Sequence, residues 1–306
     1  MIVTLQGRTT LHRSLLVASL VLSMAAAAAS QDEDVISVDS TLVVLNATVR
    51  DKNARHVSGL KQTNFSIFEN GVEQPIVTFG AEETPFAAVI LIDSSGSMGT
   101  NVSLARSAAI KFLDGLRPDD QVAIYRFDSK VALVQDFSAS RDVSEKIFDI
   151  RSYGMTVLYD AIYKAAQELD KRPERRRAII VLSDGADTQS GRSSDRALRA
   201  AMSANAVIYT VDMSLRTESA ASIRQNRGVL ENFAERSGGR FVESPGGFEM
   251  RDAFESIVNE LGVLYTLGYE PLNDKKDGKW RALELRVNRP GLTIRTRKGY
   301  TAEKAR

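Results

Sequence analysis

The sequence predicts an α/β protein: a doubly wound, mostly parallel sheet inserted in a small β-sandwich-like module formed by the two flanks of the chain. Two observations carry this expectation. Between residues 86 and 262, apolar runs of strand length alternate with stretches of helical apolar periodicity. Both flanks show short runs of alternating apolar and polar residues instead, too few on either side to bury a face alone. The flanks are therefore expected to pair in space. The expected division is a signal peptide over 1–30, an N-terminal β segment over 31–85, the α/β domain over 86–262, and a C-terminal β segment over 263–306 that pairs with the N-terminal one.

The elements follow in order. Arg8 and Arg13 precede the apolar run Leu15 to Ala29, which ends in small residues before the acidic QDED. A bilayer needs about 20 apolar residues, so this run suits a cleaved signal peptide better than a membrane helix. Cleavage is expected after Ala29 or Ser30. The chain should then be secreted or held in the periplasm or cell envelope, with no membrane span in the mature chain. STLVVLNATVRD and FSIFENGVEQPIVTF read as strands, the second interrupted by the hairpin pair Asn70-Gly71.

AAVILID, ending at Asp93, is the continuous apolar run required of a strand covered on both faces. Val102, Ala105, Ala108, Ala109, Phe112, Leu113 and Leu116 then recur at helical spacing, with Pro118 just beyond. QVAIYRF and VALVQDF are joined by Asp128-Ser129-Lys130, a hairpin signal that makes one strand antiparallel. A helix from Val157 to Leu169 leads into AIIVLSDG. A helix near Asp195 to Ala204, the strand VIYTVDM, a helix near Arg224 to Ser237, the strand RFVES and a last helix from Met250 to Leu261 complete the domain. The C-terminal flank, WRALELRVNRPGLTIRTRKGY, reads as two alternating strands around Arg289-Pro290-Gly291.

Composition removes several functions. The 306 residues include no cysteine and two histidines, His12 and His56, which excludes thiol chemistry, disulfides and cysteine-ligated zinc. A Ser-His-Asp hydrolase would depend on His56, in a polar stretch that reads as an exposed turn. The nucleophile elbow G-x-S-x-G is missing, because Ser95 stands where its first glycine would be. Without residues 1–30, which hold Arg8 and Arg13 and no acid, 38 basic residues face 39 acidic ones, a net charge of about −1. No global field attracts nucleic acid, so no such partner is expected. The densest basic cluster, Pro173 to Ala178, reads as a solvated loop before a strand.

What remains is a set of oxygens. In an open α/β sheet, ligands bind beyond the carboxyl ends of the strands where strand order reverses. Two loops at that edge carry Asp93, Ser95 and Ser97 after one strand and Asp184 after another, and Thr156 lies before a helix between them. Carboxylates and hydroxyls with no nitrogen or sulfur suit a hard cation such as magnesium, calcium or manganese. Two carboxylates would roughly balance a divalent ion and leave it able to attract a third from outside. Asp187 reads as a helix-entry residue rather than a further ligand.

The D-x-S-x-S of Asp93, Ser95 and Ser97, the later Gly-x-Thr ending at Thr156 and the S-D-G at Asp184 together resemble the metal-ion-dependent adhesion site (MIDAS) of the von Willebrand factor A (VWFA) domain. The resemblance covers about residues 86 to 262. The flanks, with LYTLGYEP at 264 to 271 and RPGLTIRTRKGY at 289 to 300, are similar to secreted bacterial VWFA-related domain proteins. The resemblance implies a Rossmann-like fold, hydroxyl ligands from Ser95, Ser97 and Thr156, and Asp93 and Asp184 bound directly or through water. It implies Mg²⁺ as the typical ion, with Mn²⁺ or Ca²⁺ as alternatives.

The function implied is a non-enzymatic, adhesion-type protein-binding module that captures an Asp or Glu carboxylate of a protein partner through that ion. An envelope assembly factor or chaperone using the same site is the alternative. A metal-assisted hydrolase with Asp93 as nucleophile is less favoured, because no second aspartate follows two residues later and no general base is evident.

Overall fold

The computed structural model describes residues 42–302 apart from 82–83, 143, 215–218 and 244–246. The expected signal peptide lies outside the described residues. The chain begins with β1 (Val43–Arg50), β2 (Phe65–Glu69), β3 (Val72–Gln74) and β4 (Ile76–Gly80). It continues through β5 (Phe86–Asp93), α1 (Asn101–Asp114), β6 (Gln121–Phe127), β7 (Val131–Ser138), α2 (Leu158–Asp170), β8 (Arg176–Ser183) and α3 (Ser194–Ser203). Then follow β9 (Ala206–Asp212), α4 (Ala220–Ser237), β10 (Phe241–Val242) and α5 (Gly247–Gly262), and finally β11 (Tyr265–Tyr269), β12 (Trp280–Val287), β13 (Thr293–Arg295) and β14 (Gly299–Thr301).

The central sheet has the order β10-β9-β8-β5-β6-β7, parallel except for the β6–β7 hairpin. Successive side chains of a strand point to opposite faces. Phe86, Ala88, Ile90 and Ile92 of β5 accordingly pack in one apolar cluster with α1 and α5, while Ala87, Val89 and Leu91 pack in another with α2, α3 and α4. A strand covered on both sides has no polar face to show, hence the unbroken run. Helix α4 begins four residues before the periodicity suggested, because the Ser219 side chain caps it by accepting from Ser222 N (3.1 Å). Strand order reverses between β5 and β8, so the loops after these two strands lie side by side at one edge.

The flanks supply two antiparallel four-stranded sheets, β13-β1-β11-β4 and β14-β12-β2-β3, each mixing strands from both ends. Leu45, Ala47, Ile67, Tyr265, Leu267 and Leu285 form their shared core. Asn70 and Gly71 both take positive φ, 49° and 83°, as a tight β2–β3 hairpin requires. Two details differ from the sequence reading. After β3, Pro75, which has no N–H to give a ladder, marks the point where the chain leaves one sheet and β4 joins the other. The run around Arg289-Pro290-Gly291 likewise divides: β12 pairs with β2 and β14, whereas β13 pairs with β1 in the opposite sheet.

The basic cluster is only partly a solvated loop: Pro173 and Arg175 are exposed before the strand, whereas Arg176 is not. Arg176 is the first residue of β8 and fully buried, and its guanidinium donates to Ala81 O (3.1 Å), Thr84 O (3.3 Å) and Gly262 O (3.4 Å). These carbonyls belong to the two crossings between the sandwich strands and the central sheet, after β4 and at the end of α5. A planar fork with five donors can serve several carbonyls at once, which offsets the cost of taking the charge from water. His56 also departs from the exposed turn: it is half-buried, bridged to Arg50, and burial lowers its pKa.

Candidate metal centre

Asp93 is the last residue of β5 and Asp184 immediately follows β8, so adjacent parallel strands deliver two carboxylates to the same edge. Asp93, Ser95, Thr156 and Asp184 are buried, and Ser97 is exposed. After Asp93 the chain makes a short 3-10 turn over Gly96–Met98, anchored by the fully buried Met98. Asp93 Oδ1 accepts from Ser95 N (2.9 Å), and the Ser95 and Ser97 hydroxyls stand 3.1 Å apart. Three of the five candidates are thus one hydrogen-bonded unit.

Ser183 links that unit to Asp184. Its hydroxyl donates to Asp93 Oδ2 (2.6 Å) and accepts from Gly185 N (3.0 Å). Thr156 arrives on a loop tied to the same turn: Gly96 N donates to Gly154 O (3.0 Å) and Tyr153 N to Ser94 O (2.8 Å). Gly154 has φ 84°, a conformation that strains any other residue, and a Cβ there would meet Ser129 Oγ at 2.8 Å, so the hydroxyl would have to move to admit a side chain. Thr156 is fixed from behind, its N donating to Thr188 Oγ1 (2.9 Å) and its carbonyl accepting from Thr188 N and Gln189 N (3.0 Å each).

The electrostatics of this edge are unusual for the molecule. Glu69, Asp212 and Glu260, also buried, each have an arginine partner, and Asp120 accepts from the N–H groups of Phe86 and Arg117. Asp93 and Asp184 have no basic partner among the described residues. Burial, reinforced by the Asp184 charge, pushes the Asp93 carboxyl up to about 7 against the opposing pull of hydrogen bonds from Ser183 and Ser95. Asp184 Oδ1 accepts from Ala186 N (2.9 Å), but its Oδ2 is buried without a hydrogen bond. It is the one carboxylate oxygen in that condition among the described residues.

A buried acceptor costs about 1–3 kcal/mol if left unsatisfied. Two adjacent acids, one with such an oxygen, beside three hydroxyl residues fit a hard divalent cation. Among the described residues no three His, Cys, Asp or Glu side chains form a group that could hold a metal, so an ion at this edge would rest on two carboxylates plus hydroxyls.

Residues 88–186, which run from inside β5 to just past Asp184, match the family model for the von Willebrand factor type A domain. The chain contains a von Willebrand factor type A domain. Over 203 residues it is 24% identical to inter-alpha-trypsin inhibitor heavy chain H3 of Bos taurus, an alignment covering 60% of this chain and 22% of that protein. The chain thus matches about a fifth of that relative's length. A von Willebrand factor type A structure from Catenulispora acidiphila is 14% identical, covers 84% of this chain and 72% of its own, and superposes with a TM-score of 0.47. Proximal thread matrix protein 1 from the mussel byssus, solved with a zinc-occupied MIDAS motif, is 17% identical over 63% of this chain and 49% of its own, at a TM-score of 0.48.

Two residues at this edge have roles the motif does not reveal. Ser183 ties the Asp93 carboxylate to the loop that carries Asp184, and its position before Asp184 in S-D-G was the signal available. Asp187 is a helix-entry residue, but for α2 rather than the helix that follows it: its Oδ2 accepts from Tyr159 N (3.0 Å) and Ser190 Oγ (2.5 Å).

Proposed function

We propose that the chain is an exported, non-enzymatic protein-binding module in which Asp93, Ser95, Ser97, Thr156 and Asp184 hold one divalent ion, Mg²⁺ in the first instance. The observation that carries the reading is the buried Asp184 Oδ2 without a hydrogen bond, beside a second carboxylate with no basic neighbour. The hydroxyls of Ser95, Ser97 and Thr156 supply neutral oxygens, so the residues present match the ion's charge without exceeding it. Bound there, the ion would supply a coordination position that an Asp or Glu carboxylate of a protein partner can take. The chain's own part is to hold five oxygens on three hydrogen-bonded loops, so that little order has to be created when the partner arrives.

An Asp93 nucleophile is disfavoured on geometry. Its oxygens already accept from Ser95 N and Ser183 Oγ, and the residue has no exposed surface. The reading also takes the strands flanking 86–262 as one discontinuous module, with 31–85 and 263–306 contributing together. No helix among the described residues is long and apolar enough to cross a membrane.

Thermal unfolding tests the ion. A ligand at 100 times its Kd stabilises the native state by about 2.7 kcal/mol. Saturating Mg²⁺ should raise the melting temperature of the wild-type protein over that in EDTA by several degrees and leave Asp184→Ala unmoved. Equal shifts in both proteins would remove the assignment.

A further inference from the structure

Resting on that reading, we propose that the partner presents an extended acidic segment with a large apolar or aromatic side chain close to its metal-directed acid. The segment occupies the groove between the β6–β7 hairpin and the loop of residues 146–153. The first observation is the display of Tyr153 and Met155, 81% and 49% exposed, on the loop that delivers Thr156. Single exposed apolar residues are ordinary on a surface. These two are held in place: Tyr153 N donates to Ser94 O (2.8 Å), Met155 N to Ser129 Oγ (3.0 Å), and Gly154 O accepts from Gly96 N between them. A large side chain on a backbone already fixed has little entropy left to lose on contact, and aromatic residues so placed tend to dominate binding energy.

The second observation is the groove, about 690 Å³, for which Tyr153 forms one wall and Leu133, 48% exposed, another. Ser129 belongs to both places, lining the groove and bonding Met155 N, so the groove opens directly beside the metal loops. Four basic residues line it against two acidic ones. Arg126 is paired with Asp128, while Lys130, Lys146 and Arg151 are exposed. The net positive wall complements a segment chosen for its acids. Ala132, Leu133 and Val134 lie on β7, the edge strand of the central sheet, whose outward backbone groups can pair with a chain laid alongside. Metal, aromatic wall, basic wall and strand edge thus define one footprint.

The test uses random dodecapeptides displayed on phage and selected on the immobilised full chain in Mg²⁺. Selected peptides should share an Asp or Glu, an aromatic or large aliphatic residue within a few positions of it, and a further acid. Synthetic copies should lose binding in EDTA. Tyr153→Ala and Leu133→Ser should each weaken them about thirtyfold, with Mg²⁺ affinity unchanged by calorimetry. Leu133 belongs to β7 rather than to the metal loops, so its variant keeps the test decisive should Tyr153→Ala disturb them. Full affinity in both variants, selected peptides without an apolar residue, or no enrichment would overturn the groove. Binding that survives EDTA but falls in the two variants would leave the groove standing and remove the metal bridge; binding lost in EDTA but untouched in the variants would do the reverse.

Discussion

Asp93 and Asp184 leave water together, and the cost should be visible in the metal-free protein. The Asp93 carboxyl is raised from 3.8 to about 7 on folding, so between those values the native state holds a proton that the unfolded chain has released. Stability should therefore fall as pH rises from about 4 to 7 and level off above, by up to about 4 kcal/mol at 1.4 kcal/mol per pH unit. Denaturant melts in EDTA should show this decline, and Asp93→Asn should flatten it. A decline of equal size in Asp93→Asn would assign it to another group. Gly185 supplies a second expectation: its φ is 84° and a Cβ there would lie only 2.4 Å from Asn226 O, so Gly185→Ala must displace the Asp184 loop from α4. Mg²⁺ affinity by calorimetry should drop at least about tenfold, on the order of 1.4 kcal/mol. At this scale the five candidate oxygen residues could be named because hydroxyls and carboxylates at strand ends are conspicuous in sequence, and three of them, Asp93, Ser95 and Ser97, form one hydrogen-bonded unit. Arg176 was not, because its carbonyl partners lie some 90 residues away in either direction.

Helix α5 shows what an element adds. Its apolar face, Phe254, Ile257, Val258 and Leu261, could be read from spacing, and it packs under the central sheet as that spacing demands. Glu260 breaks the pattern. It is fully buried and gathers Arg50 (2.8 Å), Arg295, Thr48 Oγ1 (3.2 Å) and the Tyr209 hydroxyl (2.8 Å), joining α5 to β1, β13 and β9. Nothing local marks this acid, since its partners come from strands far apart in the chain. Removing one partner of a buried ionic cluster costs about 3–5 kcal/mol, because the others remain charged and unpaired. Glu260→Ala should lose that much in urea unfolding. Arg50→Ala should lose clearly less, Arg50 being a quarter exposed. Equal losses would mean that Glu260 is not the centre of the cluster.

At the scale of the molecule, alternation and the topological switch point made the α/β portion legible, whereas strand partnership in the flanks was only partly so. That both flanks share a core followed from each having too few strands. Which strand joins which sheet did not, because β4 and β13 change sheets through a proline and a turn with no register of their own in the sequence. Deleting residues 264–306 removes β11 from between β1 and β4, and β12 from beside β2. Residues 42–80 should then be cleaved by protease under conditions in which the full chain resists. Equal resistance would show that the N-terminal strands stand without the C-terminal ones. The most direct measurement of ion binding is calorimetric titration of Mg²⁺ into EDTA-stripped, dialysed full chain, with Asp184→Ala alongside and circular dichroism to confirm its fold. One ion per chain in the wild type and none at this site in the variant is the result expected. Unchanged affinity in a folded Asp184→Ala, or no binding by the wild type, would contradict it.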